Sequence, residues 1–122
     1  MAIFNKDIIK LTTTNKNWQK EVYFDKQAQI VMMSIPVGEE IGEETHDADQ
    51  TTFIVSGEGQ AVVDGARSKL TESHLIVIPK GAKHNIINKG DVELKLFTVY
   101  SPPAEDEGVN FKTKAEAEAA ED

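Results

Sequence analysis

The chain has no cysteine, so a disulfide framework, a thiol nucleophile and a cysteine-based zinc site are all excluded. It has no long apolar run, and no window approaches the length of a membrane span. Basic residues are scarce: 13 Lys and Arg against 21 Asp and Glu give a net charge of −8. Phosphate binding needs a clustered basic face, and none is found, which argues against nucleic acid and against an anionic membrane surface. The first fifteen residues carry Lys6, Asp7 and Lys10 and do not resemble a secretory leader, so a cytoplasmic location is the default expectation. Any bound metal must be held by His, carboxylate or amide oxygen.

What is present is the composition of one folded domain. With 122 residues, 39% hydrophobic and 28% charged, the chain can bury a core without staples. Ile3 to Leu11 reads as a short strand or arm, and Thr12 to Asn17 as a polar turn. Strand signals follow at Glu21–Phe24, Gln29–Val37, Thr51–Ser56, Gln60–Val63, Arg67–Leu70, His74–Ile78, His84–Ile87 and Glu93–Tyr100. Gln29–Val37 is almost continuously apolar, as expected of a strand covered on both faces. Glu93–Tyr100 alternates, and Asp64-Gly65 is a hairpin dipeptide. Short strands at regular spacing predict an all-β fold, an antiparallel sandwich or small barrel. The domain is expected over 1–103, with its core at 30–100. Beyond Pro102-Pro103 lies an acidic polar tail, 104–122, with helix expected at 113–121 because Thr113 and Glu116 form a capping box. That segment is too short to be stable unless it docks.

The segment with chemical character is Glu44-Thr45-His46-Asp47-Ala48-Asp49-Gln50. In an extended chain Glu44, His46 and Gln50 leave on one face, and Glu43, Thr45 and Asp47 on the other. Together with a distant His84 they supply two imidazoles, a carboxylate and an amide, a set suited to a divalent ion with open positions. Ordinary solvated strand residues are the plain alternative, and a loop at 47–49 would scramble the register. His74, at the head of an apolar strand, could be structural or reach the interior. Met33, Ile35, Ile54, Ile86, Leu96 and Phe97 are candidates for a cavity wall or for simple core. Gly57-Glu58-Gly59 is not a nucleotide loop: Glu58 would repel phosphate and no helix follows.

From about Ile30 to Tyr100 the chain resembles the cupin superfamily, specifically a small single-domain cupin. The first cupin motif maps onto Gly38, Glu44, His46, Gln50 and Gly57, and the second onto Ser73, Pro79, Gly81, His84 and Asn88, with every spacing met. The resemblance implies an antiparallel jelly-roll β-barrel, commonly a homodimer, with a divalent metal near one mouth held by Glu44, His46, Gln50 and His84. Glu44 stands where the family has its first ligand His, Gln50 where it has the ligand carboxylate, and Ser73 where it has a glycine. The family set of three His and one carboxylate and the present set of two His, one carboxylate and one amide carry the same charge. The present set is softened toward oxygen, leaving iron, manganese, nickel or zinc open. The resemblance implies a small-molecule ligand and dioxygenase-like, isomerase or lyase chemistry; the alternative is a non-catalytic module that binds a small ligand or metal.

Overall fold

A computed structural model describes residues 3–121, so Met1, Ala2 and Asp122 at the ends of the expected ranges lie outside it. Nine strands and two short helices follow one another: α1 Ile8–Thr14, β1 Gln19–Phe24, β2 Gln29–Ile35, β3 Asp49–Ser56, β4 Gly59–Val63, β5 Ala66–Leu70, β6 Leu75–Ile78, β7 His84–Asn88, β8 Leu94–Ser101, β9 Asn110–Phe111 and α2 Lys114–Ala120. Six strands in the order β6-β3-β8-β2-β1-β9 form one sheet, and β5-β4-β7 form the other. All pairings are antiparallel, and the two sheets wrap into a jelly roll.

The β2 run of alternating-face apolar residues is buried almost throughout, as its composition demands. In β8 the even positions Leu94, Leu96, Thr98 and Tyr100 are buried and the odd ones only partly so. The inner faces of both sheets meet in a core that includes Met33, Ile35, Ile54, Ile86 and Leu96. Phe97 does not belong to it: odd β8 positions face outward, and Phe97 packs its ring 5.5 Å from Phe53 on the outer surface. Asp64 and Gly65 both take positive φ (48° and 84°), the turn a two-residue hairpin requires.

Two local expectations are corrected. The segment expected as a strand or arm running into a polar turn contains helix α1. Asp7 caps it by accepting from Lys10 N–H at 3.0 Å, and the hydroxyls of Thr12 and Thr14 donate back to the carbonyls of Ile8 and Lys10 at 2.7 and 2.9 Å. Threonines disfavour helix in isolation; here Thr12 is fully buried, and packing on β3 and β8 outweighs propensity. Secondly, Glu44 and His46 lie outside any strand. They sit in an extended crossing segment that touches the small sheet through isolated bridges, Glu40 to Ile87 and Glu44 to His84.

The chain after Pro103 packs back on the barrel. Asn110 and Phe111 add a strand to the free edge of β1. Thr113 Oγ1 accepts from Glu116 N–H at 3.1 Å, and Glu116 accepts from Lys112 N–H at 3.1 Å, so the capping box forms with the reciprocal bond displaced one residue. Lys114 then fastens α2, donating to the Glu40 carbonyl at 2.8 Å, pairing with Glu39 at 3.5 Å and lying 5.8 Å over the Trp18 ring.

Gly57, just after β3, lies close against the chain entering β8. It has φ +94°, and a Cβ there would stand 2.7 Å from the Glu93 carbonyl oxygen, whereas one on Gly65, also at positive φ, would meet nothing. Gly57→Ala is therefore expected to cost about 2–3 kcal/mol, strain plus backbone displacement, and Gly65→Ala about 1 kcal/mol from conformation alone. Urea midpoints of the two variants measure the difference; equal losses would remove the close approach as a constraint.

Candidate metal centre

The site begins with main-chain geometry. Glu44 N–H donates to the His84 carbonyl at 2.8 Å and His84 N–H to the Glu44 carbonyl at 2.9 Å, so the crossing segment is stitched to the first residue of β7. Two residues on, the His46 carbonyl accepts from Gly81 N–H at 3.0 Å. Gly81, at φ +84°, turns the chain between β6 and β7 so that its N–H faces that carbonyl. These bonds tie the segment down at Glu44 and His46 without a continuous ladder. The chain bends at Asp47 and Ala48, yet burial alternates throughout: positions 43, 45, 47 and 49 are exposed, while 44, 46, 48 and 50 are partly or fully buried.

The structure brings Glu44, His46 and His84 together, their ligating atoms all within 4.8 Å of one another. His84 is 4% exposed; its Nδ1 lies 3.0 Å from the Ala82 carbonyl, which turns Nε2 inward. His46 Nε2 stands 3.5 Å from Glu44 Oε1, and the two imidazole rings are 5.2 Å apart. Gln50, 3% exposed, donates through Nε2 to Thr52 Oγ1 at 3.2 Å, which is in turn 2.7 Å from Thr98 Oγ1. With its donor committed, its amide oxygen is left free. Gln50 faces Tyr100 across the β3–β8 pairing, and the Tyr100 ring sits edge-on 5.3 Å from His46.

His46 Nε2, His84 Nε2 and Gln50 Oε1 are buried side-chain polar atoms with no hydrogen-bond partner. Leaving one such atom unsatisfied costs about 1–3 kcal/mol. The unpartnered nitrogens of His46 and His84 beside the Glu44 carboxylate form a donor set that fits a divalent ion, each atom being of a type that reaches a metal at about 2.0–2.2 Å. The backbone carbonyl on His84 Nδ1 is the usual outer support of a ligating imidazole.

Two further residues belong to the site and have no motif that announces them. Glu105 Oε1 is 4.0 Å from His46 Nε2, although Glu105 comes from the acidic segment beyond Pro102-Pro103. Burial raises the pKa of its carboxyl, the Glu44 charge adds to this, and His46 and Gln19 oppose it. Tyr100 is raised well above its ordinary range, first by burial and then by the charges of Glu105 and Glu44. His46 is raised mainly by Glu44, against its own desolvation. His74 is not part of the site: it is exposed, with Nε2 3.0 Å from Thr71 Oγ1.

Glu44, Tyr100 and Glu105 also line a cavity of about 370 Å³, whose other walls include Trp18, Gln19 and Lys114. The triad thus opens through Glu44 onto a space large enough for a small organic molecule.

A family model, the cupin domain, matches residues 31–100. The chain belongs to the cupin family. This cupin is 32% identical to BH2720 from Bacillus halodurans, whose crystal structure superposes with a TM-score of 0.92 over 95% of this chain and 93% of that one. It is 35% identical to the Bacillus subtilis protein YrkC over 98% of this chain, and 36% identical to protein L612 of Acanthamoeba polyphaga mimivirus over 75%. It spans 68% and 60% of the lengths of those two proteins. No helix among the described residues is long and apolar enough to cross a membrane. Ser73, which replaces a glycine of the cupin pattern, has φ 71°; the left-handed backbone is kept without the residue that adopts it freely.

Unsatisfied donors make a specific prediction for the metal-free cupin. Gln50→Leu and His84→Leu each remove a buried orphan atom and are expected to leave stability unchanged or raise it by about 1 kcal/mol. Denaturation in the presence of a chelator checks this; a loss of about 2 kcal/mol or more in both variants would mark these side chains as structural.

Proposed function

We propose that this cupin is a divalent-metal-dependent enzyme acting on a small organic molecule. The supporting observation is the pair of buried, unpartnered imidazole nitrogens on His46 and His84 gathered beside the Glu44 carboxylate, which itself lines a cavity. Glu44, His46 and His84 would hold the ion, and the free amide oxygen of Gln50 would complete or trim its shell. Iron, manganese, nickel and zinc all suit these donors. When bound, the ion would supply Lewis acidity, or dioxygen binding if it is iron.

The chain's own residues do the rest. Tyr100 hydroxyl and Glu105 carboxyl flank His46 and are placed to orient a substrate by hydrogen bonds, one as donor and one as acceptor. Both are buried enough that such bonds would be strong. The ionisable wall of the cavity is Glu43, Glu44, Glu105, Glu118 and Glu121 against Lys114 alone. Even with a divalent charge balancing Glu44, the wall stays negative, which favours a neutral or cationic substrate and repels a small dicarboxylate. Dioxygenase-like, isomerase and lyase chemistry all fit such a site.

Metal analysis of protein purified without an affinity tag tests this reading. About one divalent ion per chain is expected in the wild type, with loss of about a hundredfold or more in affinity in Glu44→Ala, His46→Ala and His84→Ala. Wild type with no stoichiometric metal, and three variants melting as it does, would refute the metal site. With metal present, oxygen uptake screened with small diketones, flavonols and thiols separates an oxygen-using enzyme from a binding module.

A further inference from the structure

The chain beyond β8 reaches the metal centre without the help of a ladder. Residues 102–109 lie outside every strand and helix, yet Glu105 Oε1 stands 4.0 Å from His46 Nε2. A buried amide holds them there. Gln29 opens β2, a strand otherwise apolar but for Ser34, and is 0% exposed. Its Oε1 accepts from Ala104 N–H at 3.1 Å and from Glu105 N–H at 3.0 Å. Its Nε2 donates to the Glu105 carbonyl at 3.2 Å and to Glu21 Oε1 at 3.0 Å, with the Asp106 carbonyl further off at 3.4 Å. The other Glu21 oxygen accepts from Gly108 N–H at 2.8 Å. Two side chains of the barrel thus grip the segment, and the glutamine's donors and acceptors are all used.

What is gripped stands in unusual surroundings. Glu44 Oε1 and Glu105 Oε1 approach the same atom, His46 Nε2, at 3.5 and 4.0 Å. The Glu105 side chain is only 21% exposed, and among the described residues no Lys or Arg pairs with it or with Glu44. Two carboxylates turned on one buried, unpartnered imidazole nitrogen leave an excess of negative charge, which burial makes costly. A divalent cation held at that nitrogen would remove the excess. Glu105 lies beyond residues 31–100, the span that the cupin model matches, so no cupin motif supplies it.

We propose that Glu105 is an outer carboxylate of the metal centre, raising its affinity for a divalent cation, and that Gln29 is the residue that positions it. Glu44, His46 and His84 keep the role of ligands given to them above, on which this rests. An outer charge acts through distance, so its effect depends on where the main chain of 104–106 is held. Gln29 bonds both the N–H and the carbonyl of Glu105, which fixes the backbone from which that carboxylate projects. Gln29 also faces Tyr100 in the β2–β8 register, and the Tyr100 ring is 5.3 Å from His46. The grip therefore acts one strand away from the ring that lies against the imidazole.

Zinc titration calorimetry on chelator-stripped protein, run beside urea unfolding of the metal-free form, tests both roles. Wild type is expected to bind zinc stoichiometrically. Glu105→Gln is expected to bind it about tenfold more weakly, with no loss in urea midpoint because a repulsion is lifted. Gln29→Met is expected to lose a similar factor in affinity and, since it strands two buried N–H groups, to unfold at lower urea. A glutamine that served the fold alone would lower the midpoint and leave the affinity as it was. In the double variant the affinity is expected to fall no further than in Glu105→Gln, while the midpoint stays as low as in Gln29→Met. Should Gln29→Met not fold, Glu21→Met loosens the same grip from a half-buried position, and is expected to weaken zinc binding only where Glu105 is present. Zinc held equally by wild type and Glu105→Gln overturns the outer carboxylate and leaves the triad standing. Losses that multiply in the double variant overturn the positioning role of Gln29. Wild type that binds no zinc overturns the triad itself, and both roles with it.

Discussion

Two backbone hydrogen bonds between Glu44 and His84 carry the architecture of the site. They join a segment with no ladder of its own to the small sheet, and they do so at two residues whose side chains then meet inside. Because the bond is main chain to main chain, it fixes Cα positions before any side chain is chosen. His46 follows from it by two residues of extended chain, and the Gly81 turn holds the other end of that step. A site built this way needs little from its own side chains to be preorganised. That accords with three of its polar atoms standing buried and unpaired.

The strands and their faces were largely legible in the sequence because their causes are local. β8 alternates, β2 is apolar throughout, and Asp64-Gly65 admits one kind of turn. The gathering of Glu44, His46 and His84 was legible through parity and motif spacing. At 47–49, where a loop would have scrambled the register, Asp47 and Ala48 do bend, yet burial still alternates from 43 to 50. Helix α1 was not legible: Thr12 to Thr14 are poor helix formers, and burial of Thr12 against the barrel decides the matter. Glu105 was invisible for a related reason. It lies in an acidic stretch without period, and what places it near His46 is tertiary: the buried Gln29 amide accepts from Glu105 N–H at 3.0 Å and donates to the Glu105 carbonyl at 3.2 Å.

The substitution of the ligand set is easier to understand in space than in sequence. Glu44 enters from the crossing segment and lines the cavity, while Gln50 enters from the middle of the larger sheet and is sealed by Thr52 and Thr98. The charged donor therefore stands on the wet side of the site and the neutral one on the dry side. Desolvating a carboxylate is far more costly than desolvating an amide. Placing the anion at the cavity and the amide in the core is the less expensive arrangement of the two.

Helix α2 gives the cavity a property that the barrel does not share. Seven residues make too short a helix to persist alone; Ala117 packs it on the core, and Lys114 meets Glu39, the Glu40 carbonyl and Trp18 at once. The wall it forms therefore owes its shape to contacts with the barrel and not to the helix's own stability. The room beside Glu44 is thus bounded on one side by a docked helix, whose Lys114, Ala117 and Glu118 stand in its wall.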